Sequence, residues 1–340
     1  MDVTFLDTTT AAEEDLRPLY ELVVAEHEEL WSEDPVQPYD KWRLQVATPV
    51  SWSRTDRWVA RDGDGPRLGV ATLGLGFTET NRDKAAIGVY VRPGVRGRGA
   101  SKALLRPAVD KALEEGRMLL NGAAVTDGDG ARFAEALGAE RKITERKSRM
   151  VLADVDRSML EDWVVRAKER AEGYSMLAWD GPVPDEYLDR FVALTMVMNT
   201  APRDDLEMDD WIHTPERHRE GEERAIKAGH AWWTLVVRHD ASDELVGYTE
   251  FVFPSHAPEA AWQEATAVDP THRDKGLGRW LKASNCLRLL DEKPDVRYVD
   301  TWNAYSNAPM LGINIAMGFE VIKSFSEYQI RTEALQARLG

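Results

Sequence analysis

The pattern of apolar and polar residues predicts the same order of elements in both halves of the chain. Short apolar stretches such as residues 68–77 and 244–253 are typical of strands. Apolar residues three or four positions apart in residues 13–30 and 184–198 predict amphipathic helices. Each half is predicted to follow the order β-α-α-β-β-β-α-β-α-β, which indicates a mixed sheet flanked by helices in the α/β class.

A strand–turn–helix pattern near residue 270 carries the clearest chemical signal. The run from Trp262 to Val268 is typical of a strand, and Arg273-x-x-Gly276-x-Gly278 then precedes a helical pattern. Glycines allow several backbone N–H groups to converge without an obstructing Cβ, and a helix start adds unpaired N–H groups and the positive end of its dipole. The turn therefore predicts a site for a phosphate-rich ligand. Its spacing matches neither the P-loop nor the dinucleotide fingerprint.

The same turn occurs once more in the first half of the chain. At a constant spacing, the paired positions are Val91 with Val268, Arg96 with Arg273, Gly99 with Gly276, and Ser101 with Gly278. Repetition at about half the chain length indicates two related domains rather than a solenoid. The predicted domains are residues 1–153 and 174–340, and the apolar spacing in residues 154–173 predicts a connecting helix between them.

The order Val-x-Pro-x-x-Arg-x-x-Gly-x-Gly resembles the pyrophosphate-binding turn of the GNAT superfamily of acetyl-CoA-dependent N-acetyltransferases. The later stretch from Asn314 to Met317-Gly318-Phe319 resembles the closing helix and Gly-Phe unit of that family. The resemblance implies two tandem GNAT domains, similar to the two-domain members typified by mycothiol synthase.

The resemblance also implies that the second half binds acetyl-CoA through backbone amides of the turn. The implied cofactor-binding residues are Val268, Arg273, Asp274, Lys275, Gly276, Leu277, Gly278 and Arg279, together with Asn303 and Asn307 after the next strand. Asn307 has a second interpretation, as the cap of the helix that follows. In the first half, Ser101 stands where the family usually has Gly or Ala, and Ala134 stands where many members have a catalytic Tyr. A degenerate, structural or groove-forming first domain is therefore expected.

Acetyl transfer to an amine needs a general base, because an alkylamine with a pKa near 10 is mostly protonated at neutral pH. Glu264 is the first candidate, since strict alternation would place it on one face with Thr266 and Val268. Glu250 on the preceding strand is the second candidate. For protonation of the leaving thiolate, the usual Tyr position holds Asn314, so water or the nearby Tyr305 or Ser306 is expected to replace it.

Two polar clusters have open interpretations. The acidic segment with Asp204, Asp205, Asp209 and Asp210 is either a lid that binds a cationic acceptor or a solvated loop. His213 and His218 lack the cysteine partners and spacing of a zinc site, so no metal is expected.

Composition and net charge limit the classes of partner and the compartment expected for this chain. A net charge of −16 without a basic stripe argues against nucleic acid, and it suits either attraction of an amine or simple solubility. The apolar runs are shorter than the roughly 20 residues that span a membrane, and the N-terminus lacks a signal-peptide pattern. With one cysteine, Cys286, the cytoplasm is the expected compartment, and a monomer or homodimer is expected.

These observations predict an N-acetyltransferase that uses acetyl-CoA to acetylate a small primary amine. Candidate acceptors are an amino sugar or aminoglycoside-like antibiotic, a polyamine, or an amino-acid-derived metabolite. The alternative hypothesis is an acyl-CoA-binding sensor or partner-binding protein without turnover. Transfer of a different acyl or an aminoacyl group is a third hypothesis.

Overall fold

The computed structural model describes residues 1–63 and 65–340, which form two compact units. Unit 1 comprises residues 1–144, 204–209 and 325–340. Unit 2 comprises residues 145–203 and 210–324.

The first repeat follows the predicted order of elements. They are β1 (Asp2–Phe5), α1 (Glu13–Leu30), α2 (Tyr39–Ala47), β2 (Ser53–Arg61), β3 (Arg67–Gly76), β4 (Lys84–Val91), α3 (Ala100–Glu114), β5 (Leu119–Val125), α4 (Asp129–Ala136) and β6 (Glu140–Val151). The predicted α/β class and repeat order are confirmed here, because residues spaced for helices and strands have partners that bury their apolar faces.

The second repeat has the same order, preceded by one helix and followed by another. Its elements are α5 (Arg157–Arg170), β7 (Tyr174–Asp180), α6 (Leu188–Thr195), α7 (Pro215–Lys227), β8 (Ala231–His239), β9 (Glu244–Phe253), β10 (Ala260–Val268), α8 (Leu277–Glu292), β11 (Tyr298–Ala304), α9 (Ala308–Met317), β12 (Glu320–Arg331) and α10 (Thr332–Leu339). The helix expected over residues 184–198 is α-helical over 188–195 and has 3₁₀ turns on both sides.

In the sheet of unit 1, the neighbouring parallel strands β4 and β5 pair at one end only and separate at the other. Its order is β1-β2-β3-β4-β5-β12, with the parallel pair β4–β5 next to antiparallel neighbours. The β4–β5 ladder runs from Lys84↔Leu119 to Ala86↔Asn121, although β4 continues to Val91. The two strands therefore diverge toward the glycine turn at the end of β4.

Unit 2 has the equivalent opening between β10 and β11. The order of its sheet is β6-β11-β10-β9-β8-β7. The parallel ladder runs from Ala260↔Tyr298 to Gln263↔Thr301, and the strands then continue to Val268 and Ala304. Helix α8 packs over this sheet through Leu277, which belongs to the same buried cluster as strand residues of β8 and β9.

The unit boundaries differ from the expected domains of residues 1–153 and 174–340. The last part of β12 pairs with β5 from Phe325↔Val125 onward, and Leu335 and Leu339 of α10 are buried in the core of unit 1. The expected connecting helix is present as α5, but it belongs to unit 2 and packs against α8. Local sequence patterns do not specify such long-range strand partners, so they could not place residues 325–340 in unit 1.

Candidate active site

A β-bulge in β10 determines where Glu264 points. Gln263 and Thr266 lie three residues apart, but their partners on β9 lie two residues apart, so β10 carries one extra residue. Gln263 Nε2 and Thr266 Oγ1 both hydrogen-bond to Thr249 Oγ1, at 3.0 and 2.7 Å, which places both side chains on one face of the sheet. Glu264 follows Gln263 and therefore lies on the opposite face. The expectation that Glu264 shares a face with Thr266 and Val268 is wrong, because the bulge interrupts the alternation.

Glu250 lies on the face of β9 opposite Thr249 and therefore shares one face of the sheet with Glu264. This face, together with the nearby His218, is called the groove below. Burial raises the pKa of Glu250 to about 7, His218 lowers it, and the negative charge of Glu264 raises it further. Thr234 Oγ1 is 3.4 Å from Glu250 Oε1. Burial also raises the pKa of Glu264, although its side chain still reaches solvent. The groove thus contains a carboxyl group that titrates close to neutral pH.

A histidine pair borders the same groove, and the sequence analysis considered it only as a metal site. His213 Nε2 lies 3.2 Å from His218 Nδ1, and His218 Nε2 lies 3.2 Å from Glu222 Oε1. Burial, followed by the proximity of His218, lowers the pKa of His213 to about 4, so His213 is neutral at pH 7. The ring of Trp211 stacks on His213 with centroids 4.4 Å apart. His218 and Glu222 are four residues apart, a spacing that places both on one face of a helix. This spacing is the sequence signal that could have predicted their contact.

Glu222 anchors this histidine pair. Burial alone would raise its pKa, but hydrogen bonds from His218, the Val183 N–H and Arg219 hold the pKa below its usual range. The Val183 N–H donates to Glu222 Oε1 over 2.7 Å. The carboxylate is therefore ionised and fully bonded, which makes it a support for His218 rather than a base.

The two glycine turns have the same backbone conformation. Gly97 and Gly99 have φ of 75° and 82°, and the equivalent Asp274 and Gly276 have φ of 65° and 80°. Such left-handed positions turn successive N–H groups toward one point at the start of α3 and α8. Both turns therefore have the backbone shape that binds a diphosphate.

The conformation of the second turn does not require glycine at position 278. Gly278 lies inside α8 without a left-handed φ, and a Cβ built on it would meet Ile313 Cδ1 at 3.6 Å, an ordinary contact. Ser101 at the equivalent position is therefore compatible with the turn. Whether Ser101 and Ala134 make the first domain degenerate therefore stays a prediction.

The arginine of each turn stabilises the turn itself. Arg273 Nε donates to Val268 O over 3.0 Å, and its Nη2 donates to Thr200 Oγ1 over 2.8 Å. Arg96 bonds to Val91 O and Glu29 Oε2 in the same way, over 2.9 and 2.7 Å. Two nitrogens of the Arg273 side chain are therefore bonded within unit 2, and its backbone N–H donates to Pro270 O.

A buried polar chain lies beside the opening in unit 2. Lys282 Nζ donates to Asn314 Oδ1 over 2.7 Å, and Asn314 Nδ2 donates to Asn303 Oδ1 over 2.6 Å. Lys282 and Asn314 are each 1% exposed. Asn303 lies on β11 beyond the end of the parallel ladder, so this chain ends at the divergence of β10 and β11.

Two other candidates make local bonds. Asn307 Oδ1 accepts from the Met310 N–H at 3.4 Å, so the capping interpretation of Asn307 is the one observed. The Tyr305 hydroxyl lies 2.8 Å from Ser324 Oγ, and its ring is 47% exposed. A role for Tyr305 as the acid stays a prediction.

The aspartates expected to bind the acceptor belong to the other unit. Asp204, Asp205 and Asp209 lie in the segment 204–209 of unit 1, and Asp209 Oδ2 forms an ion pair with Lys84 at 3.3 Å. Binding of a cationic acceptor by these aspartates stays a prediction. Asp210 does belong to unit 2, where it forms an ion pair with Arg203 at 3.0 Å.

Within the described part of the chain, no group of three or more His, Cys, Asp or Glu is arranged to hold a metal ion. Among the same described residues, no helix combines the length and apolar character needed to cross a membrane.

Comparisons with known proteins identify similar chains. Residues 16–139 and 198–310 match the family model described as "Acetyltransferase (GNAT) family". A solved tandem GNAT protein from the clavulanic acid biosynthesis pathway is 26% identical, with a TM-score of 0.77, covering 97% of this chain and 99% of that one. A GCN5-related N-acetyltransferase from Sphaerobacter thermophilus is 15% identical, with a TM-score of 0.64 over 97% of this chain and 96% of that one, and supports the fold alone. No curated protein matches the chain significantly.

Proposed function

Because the chain belongs to the acetyltransferase (GNAT) family, we propose that it acetylates a primary amine of a small molecule from acetyl-CoA, with the chemistry in unit 2. The observation that carries this proposal is Glu250, a carboxyl group whose pKa of about 7 suits a general base. It lies in a groove on the hairpin β9–β10, which leads directly into the second glycine turn.

In the proposed reaction Glu250 accepts the proton of the substrate ammonium, which frees the nitrogen lone pair to attack the thioester. The C–N bond forms, the C–S bond breaks, and the proton that the new amide nitrogen loses passes through water to the departing CoA thiolate. An alkylammonium with a pKa near 10 is mostly protonated at neutral pH and therefore needs such a base, and holding the amine close to the thioester promotes attack. Glu264 contributes negative charge that attracts the ammonium and raises the pKa of Glu250. The roles of the two carboxylates are thereby exchanged relative to the first expectation.

The residues of unit 2 fit the acyl donor in two respects. The left-handed positions at Asp274 and Gly276 shape a backbone cradle for a diphosphate at the N-terminus of α8. The divergence of β10 and β11 leaves backbone groups and the Asn303 amide available to a pantetheine arm. When bound, acetyl-CoA supplies the activated acetyl group.

The acceptor class is a small amine, such as an amino sugar or antibiotic, a polyamine or an amino-acid-derived metabolite. Support comes from the groove, where Glu250 and Glu264 offer negative charge while Trp211 and His213 offer a stacked pair of rings. The tandem GNAT protein at 26% identity is itself described as part of a small-molecule biosynthetic pathway.

A thiol-release assay with acetyl-CoA and a library of small amines tests this function. We expect CoA release with at least one amine in the wild type and its loss in Glu250→Gln. Glu223→Gln, an exposed change on α7, is the matched control and should retain full activity. Absence of amine-dependent CoA release from the wild type, despite measurable CoA binding, would favour the non-catalytic alternative.

One observation favours a non-catalytic role for unit 1. Counted back from the glycine turn, the position of Glu264 is held in unit 1 by Ile87. The position of Glu250, matched by its pairing with the strand before the turn, is held by Thr72. Unit 1 therefore has the turn and the strand opening without the two carboxylates, which suits binding without transfer.

A further inference from the structure

The register of three neighbouring strands in unit 2 places an exposed tryptophan beside the two carboxylates of the groove. The parallel ladder between β10 and β11 ends at Gln263↔Thr301, so the residues that follow, Glu264 and Trp302, are lateral neighbours. On the other side of β10, the bulge that contains Glu264 lies opposite Glu250 of β9. Trp302, Glu264 and Glu250 therefore follow one another across three strands that are about 4.8 Å apart.

Trp302 points to the same face of the sheet as Glu250. Val299 of β11 and Phe251 of β9 belong to one buried cluster, which lies on the face covered by α8. Strand β11 pairs with β6 without interruption from Tyr298 to Ala304, so its side chains alternate between the two faces. Trp302, three positions after Val299, and Glu250, next to Phe251, both lie on the opposite face. Trp302 therefore lines the groove.

The ring of Trp302 contacts a buried cation and also has a large exposed surface. Lys147 Nζ lies 5.3 Å from the centroid of the ring and forms an ion pair with Asp300 Oδ2 at 3.1 Å. Lys147 is 1% exposed, whereas Trp302 is 41% exposed. The indole therefore helps to bury this ion pair and presents the rest of its surface to solvent.

This arrangement separates a place for positive charge from a place for an uncharged ring. An aromatic ring attracts a cation through the negative potential of its faces, and Lys147 already uses this attraction at Trp302. A second positive charge on the same ring would be repelled by Lys147. The ammonium of an acceptor is therefore favoured beside Glu264 and Glu250, and an uncharged flat ring is favoured against the exposed indole.

We propose that Trp302 determines the acceptor specificity of unit 2 by stacking on a flat, uncharged ring that the acceptor carries close to its amine. This inference rests on the function proposed above, and it narrows the acceptor class to ring-bearing amines and excludes linear polyamines. Because Trp302 and Glu264 lie on adjacent strands, the ring bears the amine directly or through a short linker. The ring is aromatic or a pyranose, since both present a flat face of carbon and hydrogen to the indole.

Calorimetric titration of the full chain with two matched pairs of amines tests this specificity. Phenethylamine is compared with hexylamine, and glucosamine is compared with the open-chain amino polyol glucamine. We expect the cyclic member of at least one pair to bind roughly three- to tenfold tighter, the usual gain from a stacked ring. A preference in the first pair alone identifies an aromatic ring, and one in the second pair alone identifies a pyranose. Equal Kd values within both pairs would overturn the proposal.

Substitutions assign the preference to Trp302. Trp302→Leu should abolish the tighter binding of cyclic amines, whereas Trp302→Phe should retain part of it. Val165→Ala, which shortens an exposed apolar side chain on α5, is the control and should leave the preference unchanged. Glu264→Gln should instead weaken the binding of cyclic and linear amines by the same factor, because it removes only charge.

Persistence of the full preference in Trp302→Leu would contradict the role of Trp302. If this variant does not fold, Trp302→Thr replaces it, since threonine is favoured in strands and has no ring.

Thiol release measured with the same amines separates this inference from the proposed function. Tighter binding of cyclic amines that depends on Trp302, without any release of CoA, would support the ring site and refute the transferase. Equal release of CoA with cyclic and linear amines, unchanged in Trp302→Leu, would refute the role of Trp302 and leave the transferase intact.

Discussion

At the scale of single residues, Glu250 combines two opposing requirements of a general base. Burial disfavours its ionised form and raises its pKa, while Thr234 and the nearby His218 favour the ionised form. The result is a group that is about half ionised near pH 7, where it can both accept and release a proton. His218 owes its place to Glu222 and His213, which bond to its two ring nitrogens.

The first prediction concerns the base. Glu250→Gln should lower kcat/KM by roughly 10²- to 10⁴-fold, the contribution of a positioned base. In the wild type, activity should rise as pH increases through about 7, since the carboxyl group is protonated below its pKa and active above it. This rise with pH should disappear from the pH–rate profile of the variant.

The melting temperature of Glu250→Gln should not fall. Ionising a buried carboxyl group whose pKa is raised destabilises the folded state above pH 7, and the substitution removes that destabilisation. A variant with wild-type kcat/KM would rule Glu250 out.

The second prediction separates the two carboxylates. Glu264→Gln removes a negative charge that raises the pKa of Glu250, so the rising limb should move to lower pH while turnover is retained. The measurement is the pH dependence of kcat/KM from about pH 5 to 9 at saturating acetyl-CoA. If turnover is lost and the limb does not move, Glu264 is the base, as the alternation of β10 first indicated.

At the scale of elements, the glycine turns are defined by backbone conformation more than by glycine content. Asp274 adopts a left-handed φ where the first turn has Gly97, and Gly278 lies in ordinary helix. The feature shared by both units is the left-handed residue before the helix, Gly99 and Gly276.

The third prediction follows from this difference between the two glycines. Gly276→Val should weaken CoA binding at least tenfold, because a β-branched residue at φ 80° is strained by about 1–3 kcal/mol and the turn would change shape. Gly278→Ala should change the Kd by less than about threefold, since its Cβ makes an ordinary contact. Calorimetric titration of CoA into both variants measures the effect. Equal losses would show that helix position 278 itself contacts the ligand.

The polar chain on α8 is a second element-scale feature. Burial lowers the pKa of Lys282 to about 7, so the folded protein holds a neutral amine over the range in which the unfolded chain holds an ammonium. Stability therefore falls as pH decreases from the usual lysine pKa of 10.5 toward about 7.

The fourth prediction concerns Lys282, which is replaced by leucine, the residue at the equivalent position 105 of unit 1. Lys282→Leu should raise the melting temperature more at about pH 7 than at about pH 10, because the protonation penalty is removed at the lower pH. It should also raise the KM for acetyl-CoA if Lys282 orients Asn303 through Asn314, and Asn303→Ala should abolish that second effect. The control Asn285→Ala, which places the residue of unit 1 at another buried polar position of α8, should leave the KM unchanged. An unchanged KM in Lys282→Leu would assign the chain a purely structural role.

At the scale of the whole molecule, the last residues of the chain complete the sheet and the core of unit 1. Helix α10 and the last part of β12 belong to unit 1, where the Leu335 side chain is 3% exposed. Gln329 Nε2 also donates to Asn121 Oδ1 over 2.9 Å, which links β12 to β5 by a side-chain bond.

The fifth prediction concerns this segment. Leu335→Ala should destabilise unit 1 by about 2–5 kcal/mol, the usual cost of emptying a buried leucine site. Glu333→Ala, exposed on the same helix, is the control. Denaturant unfolding monitored by tryptophan fluorescence provides the measurement, and equal stability of both variants would contradict the placement of α10 in the core.

The sequence by itself determined the features that depend on neighbours along the chain. Hydrophobic periodicity specified the order of strands and helices in both repeats, and the spacing around Arg273 and Gly276 specified the turn. These follow from local sterics and from the burial of one face, which each segment expresses independently of distant partners.

The tertiary structure decided what depends on residues that are far apart in the chain. The bulge opposite Glu250 assigned Glu264 to its face, and the approach of α7 brought His218 to the groove. Pairing of β12 with β5 assigned the chain's end to unit 1. The register of a strand and the choice of its neighbouring strand arise from the summed burial of many side chains. A one-residue bulge or a distant strand can therefore change them without any signal in the local sequence.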